Sequence, residues 1–198
     1  MVTVTLPADK IPMYALSFYE KVARADVEKV AASRYLELLR RHFRSAVAPR
    51  HGTAQRLNAV PTGYWANPTT YTQLQGNEIT ITKPGIERAL GPVTIRPTQA
   101  KALTLPIAAL AYGKRVADLR HTFGKPIFRP KGTRILAYQD DQGAIKPLYA
   151  LVGKVTQPQD DTLLPPEETV HTALQDALKI YLATLAQNTP AAVGGGLR

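Results

Sequence analysis

The chain has 198 residues, 44% of them hydrophobic, enough for one ordinary core with extensions. Lys and Arg number 25 against 15 Asp and Glu, a formal charge of +10 that favours acidic partners or a nucleic-acid backbone without specifying a fold. The absence of cysteine excludes disulfides, thiolate zinc sites and cysteine nucleophiles. No run approaches the ~18 apolar residues of a membrane span, and "MVTVTLPADK" lacks the charged start and apolar centre of a signal peptide. The expectation is a soluble protein with no membrane partner.

The first element in chain order runs from Tyr14 to Val47, between Pro12 and Pro49, with apolar residues at Phe18, Val22, Ala25, Val30, Leu38, Leu39 and Phe43. It reads as one long helix, or two joined by a bend, whose polar face becomes strongly basic at Arg40, Arg41 and Arg44. Next, "PRHGTAQRLNAVPTGYWANPTTYTQLQGN", Pro49 to Asn77, contains the sole Trp and no sustained period. It is longer than connecting loops usually are. It is expected to be an extended arm whose Tyr64, Trp65 and Tyr71 meet a neighbouring subunit or partner, so that removing residues 55–72 would leave the body folded.

Short β-type runs follow at 78–82, 93–97, 102–107, 133–138 and 148–155, the last two flanking a hairpin turn, "QDDQGAIKP", with Gly143 free for positive φ. Pro97 and Pro106 suit strand ends, where a missing N–H is tolerated. The segment "PPEETVHTALQDALKIYLATLAQ" is an amphipathic helix, with Val170, Ala173, Leu174, Ala177, Leu178, Tyr181, Leu182 and Leu185 on one face and Glu167 and Glu168 at its positive end. Residues 189–198 are small and Gly-rich and are expected to form a flexible tail. The pattern gives an α+β fold over 1–188: a mostly antiparallel sheet of four to six strands packed against a long N-terminal helix and an amphipathic C-terminal helix, with an arm at about 49–77.

Enzyme signals are absent from the sequence. The four histidines, His42, His51, His121 and His171, lack metal-pair spacing. The pairs Asp140–Asp141, Asp160–Asp161 and Glu167–Glu168 suit turns and a helix start better than acid–base chemistry. No glycine pattern cradles a phosphate, and no serine stands in a nucleophile-elbow motif. No catalytic residue, cofactor or metal is expected. Basic residues are the remaining candidates: Arg40, Arg41, Arg44, Lys114 and Arg115 could face DNA, and a basic nucleic-acid-binding module without enzymatic activity is the alternative reading.

"KPGIERALGPVTIRPTQAKALTLPI" (83–107) and "LYALVGKVTQ" (148–157), leading into the C-terminal helix, resemble tailed-bacteriophage tail-completion or virion-morphogenesis proteins, minor structural components of the head–tail neck. The matching elements are Pro84–Gly85, Ile95–Arg96–Pro97, Lys101–Ala102–Leu103 and Pro165–Pro166. In the "PTGYWANPTTYT" loop the chain departs from the Mu-like pattern, where a helix start is common. The resemblance implies a non-enzymatic virion protein, present in the host cytoplasm during assembly. It would form a ring of identical subunits at the neck or tail top, beside neck, connector or tail-terminator and tube proteins, with packaged DNA passing through the ring.

Overall fold

The computed structural model describes residues 2–5 and 24–188. The chain enters as strand β1 (Val2–Thr5) and continues as helix α1 (Arg24–His42). The expected helical turns before Arg24, with Phe18 and Val22, and the expected tail at 189–198 lie outside the described residues. α1 buries Val27, Ala31, Tyr35, Leu38 and Leu39, a stripe recurring every three or four residues, while Val30 is only half-buried. At Phe43–Val47 the helix widens into a π turn, closed by a 2.7 Å bond from the Ala48 N–H to the Phe43 carbonyl. Phe43 and Val47 follow Leu39 at four-residue spacing and continue the buried stripe on the core side.

Helix α2 (Gly52–Leu57) is followed by a hairpin of β2 (Thr72–Gln75) and β3 (Glu78–Ile81), to which β1 adds in the order β1-β3-β2. Thr72 faces Ile81 and Leu74 faces Ile79, so alternation turns these four inward and leaves Gln73 and Gln75 in solvent. Strand β4 (Val93–Ile95) then leads away to β5 (Leu103–Pro106), helix α3 (Val116–Phe123), β6 (Ile135–Gln139) and β7 (Ile145–Val152), and β8 (Val155–Gln157) returns to pair with β4. Helix α4 (Glu167–Asn188) lies along α1, with Leu174 and Leu178 buried.

The class is α+β as the sequence indicates, with the long N-terminal helix and the amphipathic C-terminal helix in place. The single sheet of four to six strands is corrected: there are three antiparallel sheets, β1-β3-β2, β4-β8 and β5-β7-β6. Pro92 and Pro97 bracket β4, and Gly153 and Lys154 separate β7 from β8, so the ladders are cut where a backbone donor is missing or the chain turns. Buried side chains accordingly fall into two clusters. The first joins α1, Tyr71, Ile79, Ile81, Ile86, Leu163 and Leu174. The second joins Ala111, Leu119, Ile127, Leu148 and Tyr149.

Within the described residues, residues 96–154 form a lobe reached and left through the β4–β8 ribbon. The first lobe touches it again through the 58–65 segment, where Thr62 packs on Gly113. Gly113 has φ +71°, and a Cβ there would run into Thr62 Cγ2. Both conditions demand glycine. Gly113→Ala should therefore destabilise the protein by about 2–3 kcal/mol. In the double variant with Thr62→Ser the steric part should return and the dihedral cost of about 1 kcal/mol remain, read as a double-mutant cycle of denaturant midpoints.

Candidate functional site

The stretch expected to reach outward instead folds back onto its own chain. Trp65 stacks on Phe43, ring centroids 5.5 Å apart and 13° from parallel, and Tyr71 meets both rings edge-on at 5.5 and 5.8 Å. The Tyr71 hydroxyl donates to the Trp65 carbonyl at 3.0 Å, closing the loop on itself. At 4% exposure Tyr71 is a core residue, so its assignment as a partner contact is corrected. The physical reason is that the loop's aromatics find apolar cover under α1 before they can find it on a neighbour. Deleting residues 55–72 would therefore remove part of the first core and not merely an arm. Trp65 is half-buried, and of the three only Tyr64 is largely exposed.

Tyr64 is nonetheless fixed. Its hydroxyl donates to the Pro84 carbonyl at 2.9 Å, its ring meets Trp65 edge-on, and the Lys83 ammonium sits 3.9 Å from its centroid and 5.1 Å from that of Tyr71. Desolvation pulls the Lys83 pKa down and pushes that of Tyr64 up, with the Glu87 charge adding to the latter. Burial raises Tyr71 to about 12.

Beside this cluster an open groove of about 470 Å³ lies where the two lobes meet. Tyr64, Trp65, Pro84 and Gly85 form one side, Tyr112 and Gly113 the other, with Ile95 and Gln157 of the ribbon between them. Arg50, His51 and Arg88 supply the polar rim. Asp160 holds both guanidiniums, with Arg50 Nη1 at 3.5 Å and Arg88 Nη2 at 3.4 Å. Arg88 also donates through Nε to the Pro158 carbonyl at 3.1 Å, and Arg50 reaches the Thr162 hydroxyl and carbonyl. Asp160 is thus the anchor of two cations, which explains one of the acidic pairs. Sequence spacing had no means of bringing residues 50, 88 and 160 together.

The other candidates divide. Arg40, Arg41 and Arg44 line one open groove of about 600 Å³ along α1, with Ser33 and Ser45. Arg40 is committed inward: Nε donates to Thr72 Oγ1 at 2.9 Å and Nη2 to the Thr72 carbonyl at 3.0 Å, satisfying a buried threonine at the end of the folded-back loop. Arg40 is thus half-buried and tied to the fold, while Arg41 and Arg44 are the exposed cations of that stripe. Lys114 and Arg115 are exposed on the second lobe, at the start of α3, where the Lys114 carbonyl accepts from the Tyr149 hydroxyl at 3.0 Å. The structure does not unite them with the α1 stripe in one groove.

Asp140 caps its hairpin, accepting from the Gln142 and Ala144 N–H groups at 3.1 and 2.7 Å, and these bonds hold its pKa below the usual carboxylate range. Gly143 in that turn has φ +83°, as the hairpin requires. Glu167 and Glu168 sit in the first turn of α4. His42 Nε2 donates to the Thr162 carbonyl at 3.1 Å, His51 lines the groove, and His121 and His171 are exposed. Among the described residues no three His, Asp or Glu side chains gather as a metal site, and no helix is long and apolar enough to cross a membrane.

Tyr71→Phe isolates the loop's closing hydrogen bond. At neutral pH the variant should lose about 1 kcal/mol of stability. Because the folded-state pKa of Tyr71 is raised from 10.0 to about 12, its contribution is complete below pH 10 and is lost as pH rises through that window. The gap between wild type and variant, measured by urea unfolding at successive pH values, should narrow above pH 10, invert between about pH 10 and 11, and be clearly reversed by about pH 12.

No family model matches the chain, and neither a curated protein nor a solved structure is similar to it.

Proposed function

We propose that this chain is a non-enzymatic structural protein of a tailed-phage virion, acting in tail completion or head–tail joining as a subunit of a ring in the neck or at the top of the tail. The observation that supports the reading is where the motifs that resemble those of such proteins fall. Pro84–Gly85 borders the groove between the lobes. Ile95–Arg96–Pro97 ends β4 and leads across to the second lobe, Lys101–Ala102–Leu103 opens β5, and Pro165–Pro166 delivers the chain to α4. Motifs that mark the joints of a fold go with its architecture, which is what a family of assembly subunits holds in common.

Exposed apolar side chains give further support. Leu105, Ile107, Leu110, Phe128 and Ile145 stand in solvent on the second lobe, and Ile180 on the outer face of α4. A subunit covered by neighbours on several sides accounts for such exposure. Neck, connector or tail-terminator and tube proteins are the neighbours in this reading, the host cytoplasm is the place of assembly, and the virion is the destination. Arg41, Arg44, Lys114 and Arg115 are then free to meet packaged DNA through its backbone.

In a phage carrying this gene, an amber mutation in it should yield filled heads and finished tails that do not join, counted by negative-stain microscopy, with joining restored when the purified chain is added. Joined, infectious particles lacking the chain would overturn the reading. Neutralising Arg41 and Arg44 to Gln should leave the melting temperature unchanged and flatten the salt dependence of any DNA retention by about one to two log–log units, whereas Arg40→Gln should lower stability.

A further inference from the structure

The β4–β8 ribbon forms part of the inter-lobe groove, and its register fixes which side chains face which way. Val93 pairs with Gln157 and Ile95 with Val155, so these four share one face, while Thr94 and Thr156 share the other and bring their hydroxyls to 3.1 Å. Ile95 and Gln157 line the groove, and Ile95 is 41% exposed there. Above it stand Arg50 and Arg88, two guanidiniums sharing the single carboxylate of Asp160. No acidic side chain lines the groove among the described residues. Glu87, close by in sequence, is held by the Gly85 N–H at 2.8 Å.

We propose that this groove binds a short peptide segment of a partner protein, one that places an Asp or Glu side chain on Arg88 and an aliphatic side chain on Ile95. Charge decides the first half: two cations against one anion leave room for one carboxylate, and Arg88 Nη1 is not used in its bonds to Asp160 and Pro158. Surface chemistry decides the second. Nucleic acid would need a row of cations and a free aromatic face. Here Trp65 is covered by Phe43, Tyr64 carries Lys83 on its ring, and the Arg41–Arg44 stripe lines a different groove. What the groove does offer is the exposed aliphatic side chain of Ile95 in the same groove as a guanidinium, the pairing that an acidic residue next to Val, Ile or Leu satisfies. The site does not depend on the virion role and would hold for a partner of any origin.

The test is selection of a displayed random peptide library on the full chain, followed by titration of the selected peptides while Trp65, the sole tryptophan, reports from the groove wall. Selected peptides should carry Asp or Glu adjacent to Val, Ile or Leu and shift Trp65 emission saturably. Arg88→Gln and Ile95→Asp should each weaken binding about tenfold. Ile95 is exposed, so the second variant should keep the wild-type melting temperature even if loss of the Asp160 contact lowers that of the first. The proposal is overturned if no peptide is selected, if selected peptides lack acidic residues, if Trp65 emission does not respond, or if Ile95→Asp binds them as tightly as wild type. A Trp65 response to an oligothymidylate alone would assign the groove to nucleic acid instead and equally overturn it.

Discussion

The stack of Trp65 on Phe43 is the contact on which the rest of the arrangement depends. Phe43 follows Leu39 by one helical turn and so continues the buried stripe of α1 into the π turn, where Trp65 meets it. Once the two rings meet, the 58–71 segment is no longer a free loop. Hydrogen bonds from the Tyr71 hydroxyl to Trp65 and from Arg40 to Thr72, just past its end, hold it in partly buried surroundings. Burying two large aromatics contributes several kcal/mol beyond what a polar loop could provide, against an ordering cost of about 1–2 kcal/mol per residue. A loop of this length stays ordered only when such anchors recur along it, and Phe43, Arg40 and Gly113 supply them at three points.

That pinned loop is also what sets the second lobe in place. The chain passes between lobes through a ribbon of two three-residue strands, and so short a ribbon fixes orientation weakly by itself. The Thr62–Gly113 contact adds a second point of attachment away from the ribbon, and two separated attachments resist rotation where one does not. The groove is the space left between them. Its rim charge follows from the same geometry: residues 158–162, descending from β8 toward α4, present Asp160 and two carbonyls to Arg50 and Arg88. Asp160 N–H in turn donates to the Arg88 carbonyl at 2.8 Å, so the segment is held by main chain as well as side chain.

Much of the fold was legible because it rests on local pattern. α4 announces itself through a continuous apolar face and two prolines, and β3, β4, β5, β6 and β7 each fall within or across a run of alternating β-formers. The hairpin at Gly143 follows from turn chemistry alone. What was missed depends on partners distant in sequence. β2, "TQLQ", carries no strong β-former except through its pairing with β3, and β1 is a four-residue "VTVT" whose partner lies some seventy residues on. α3 is short and has only Leu119 as its fully buried anchor among the described side chains. The loop at 49–77 has the same cause: Trp65 and Tyr71 look like ligands for a neighbour until Phe43, more than twenty residues earlier in the chain, is found beside them. Among candidate residues, the basic stripe on α1 could be read from helical spacing, whereas the Arg50–Asp160–Arg88 junction spans three segments and leaves no periodic trace.

The same junction bears on what the net charge means. A formal +10 suggests a protein built to meet polyanions, yet many of its cations are spent holding this fold together. Arg40 satisfies Thr72, Arg50 and Arg88 bind Asp160, Arg120 donates to the Ile127 carbonyl at 3.0 Å and Arg129 to the Thr133 carbonyl at 2.7 Å. Lys125 pairs with Asp141 and Lys146 with Asp140. Guanidinium groups suit this task because they present several donors in a plane and stay charged, so one side chain can saturate carbonyls that a chain poor in regular structure leaves open. A long-range field does not distinguish such cations from exposed ones, but short-range binding does, since a guanidinium already bonded must give up those bonds to take a phosphate. The cations left exposed and without such bonds are therefore fewer than the composition implies; Arg41 and Arg44 on α1 and Lys114 and Arg115 before α3 are among them. Net charge alone therefore overstates how many guanidiniums and ammoniums a polyanion would find unbonded.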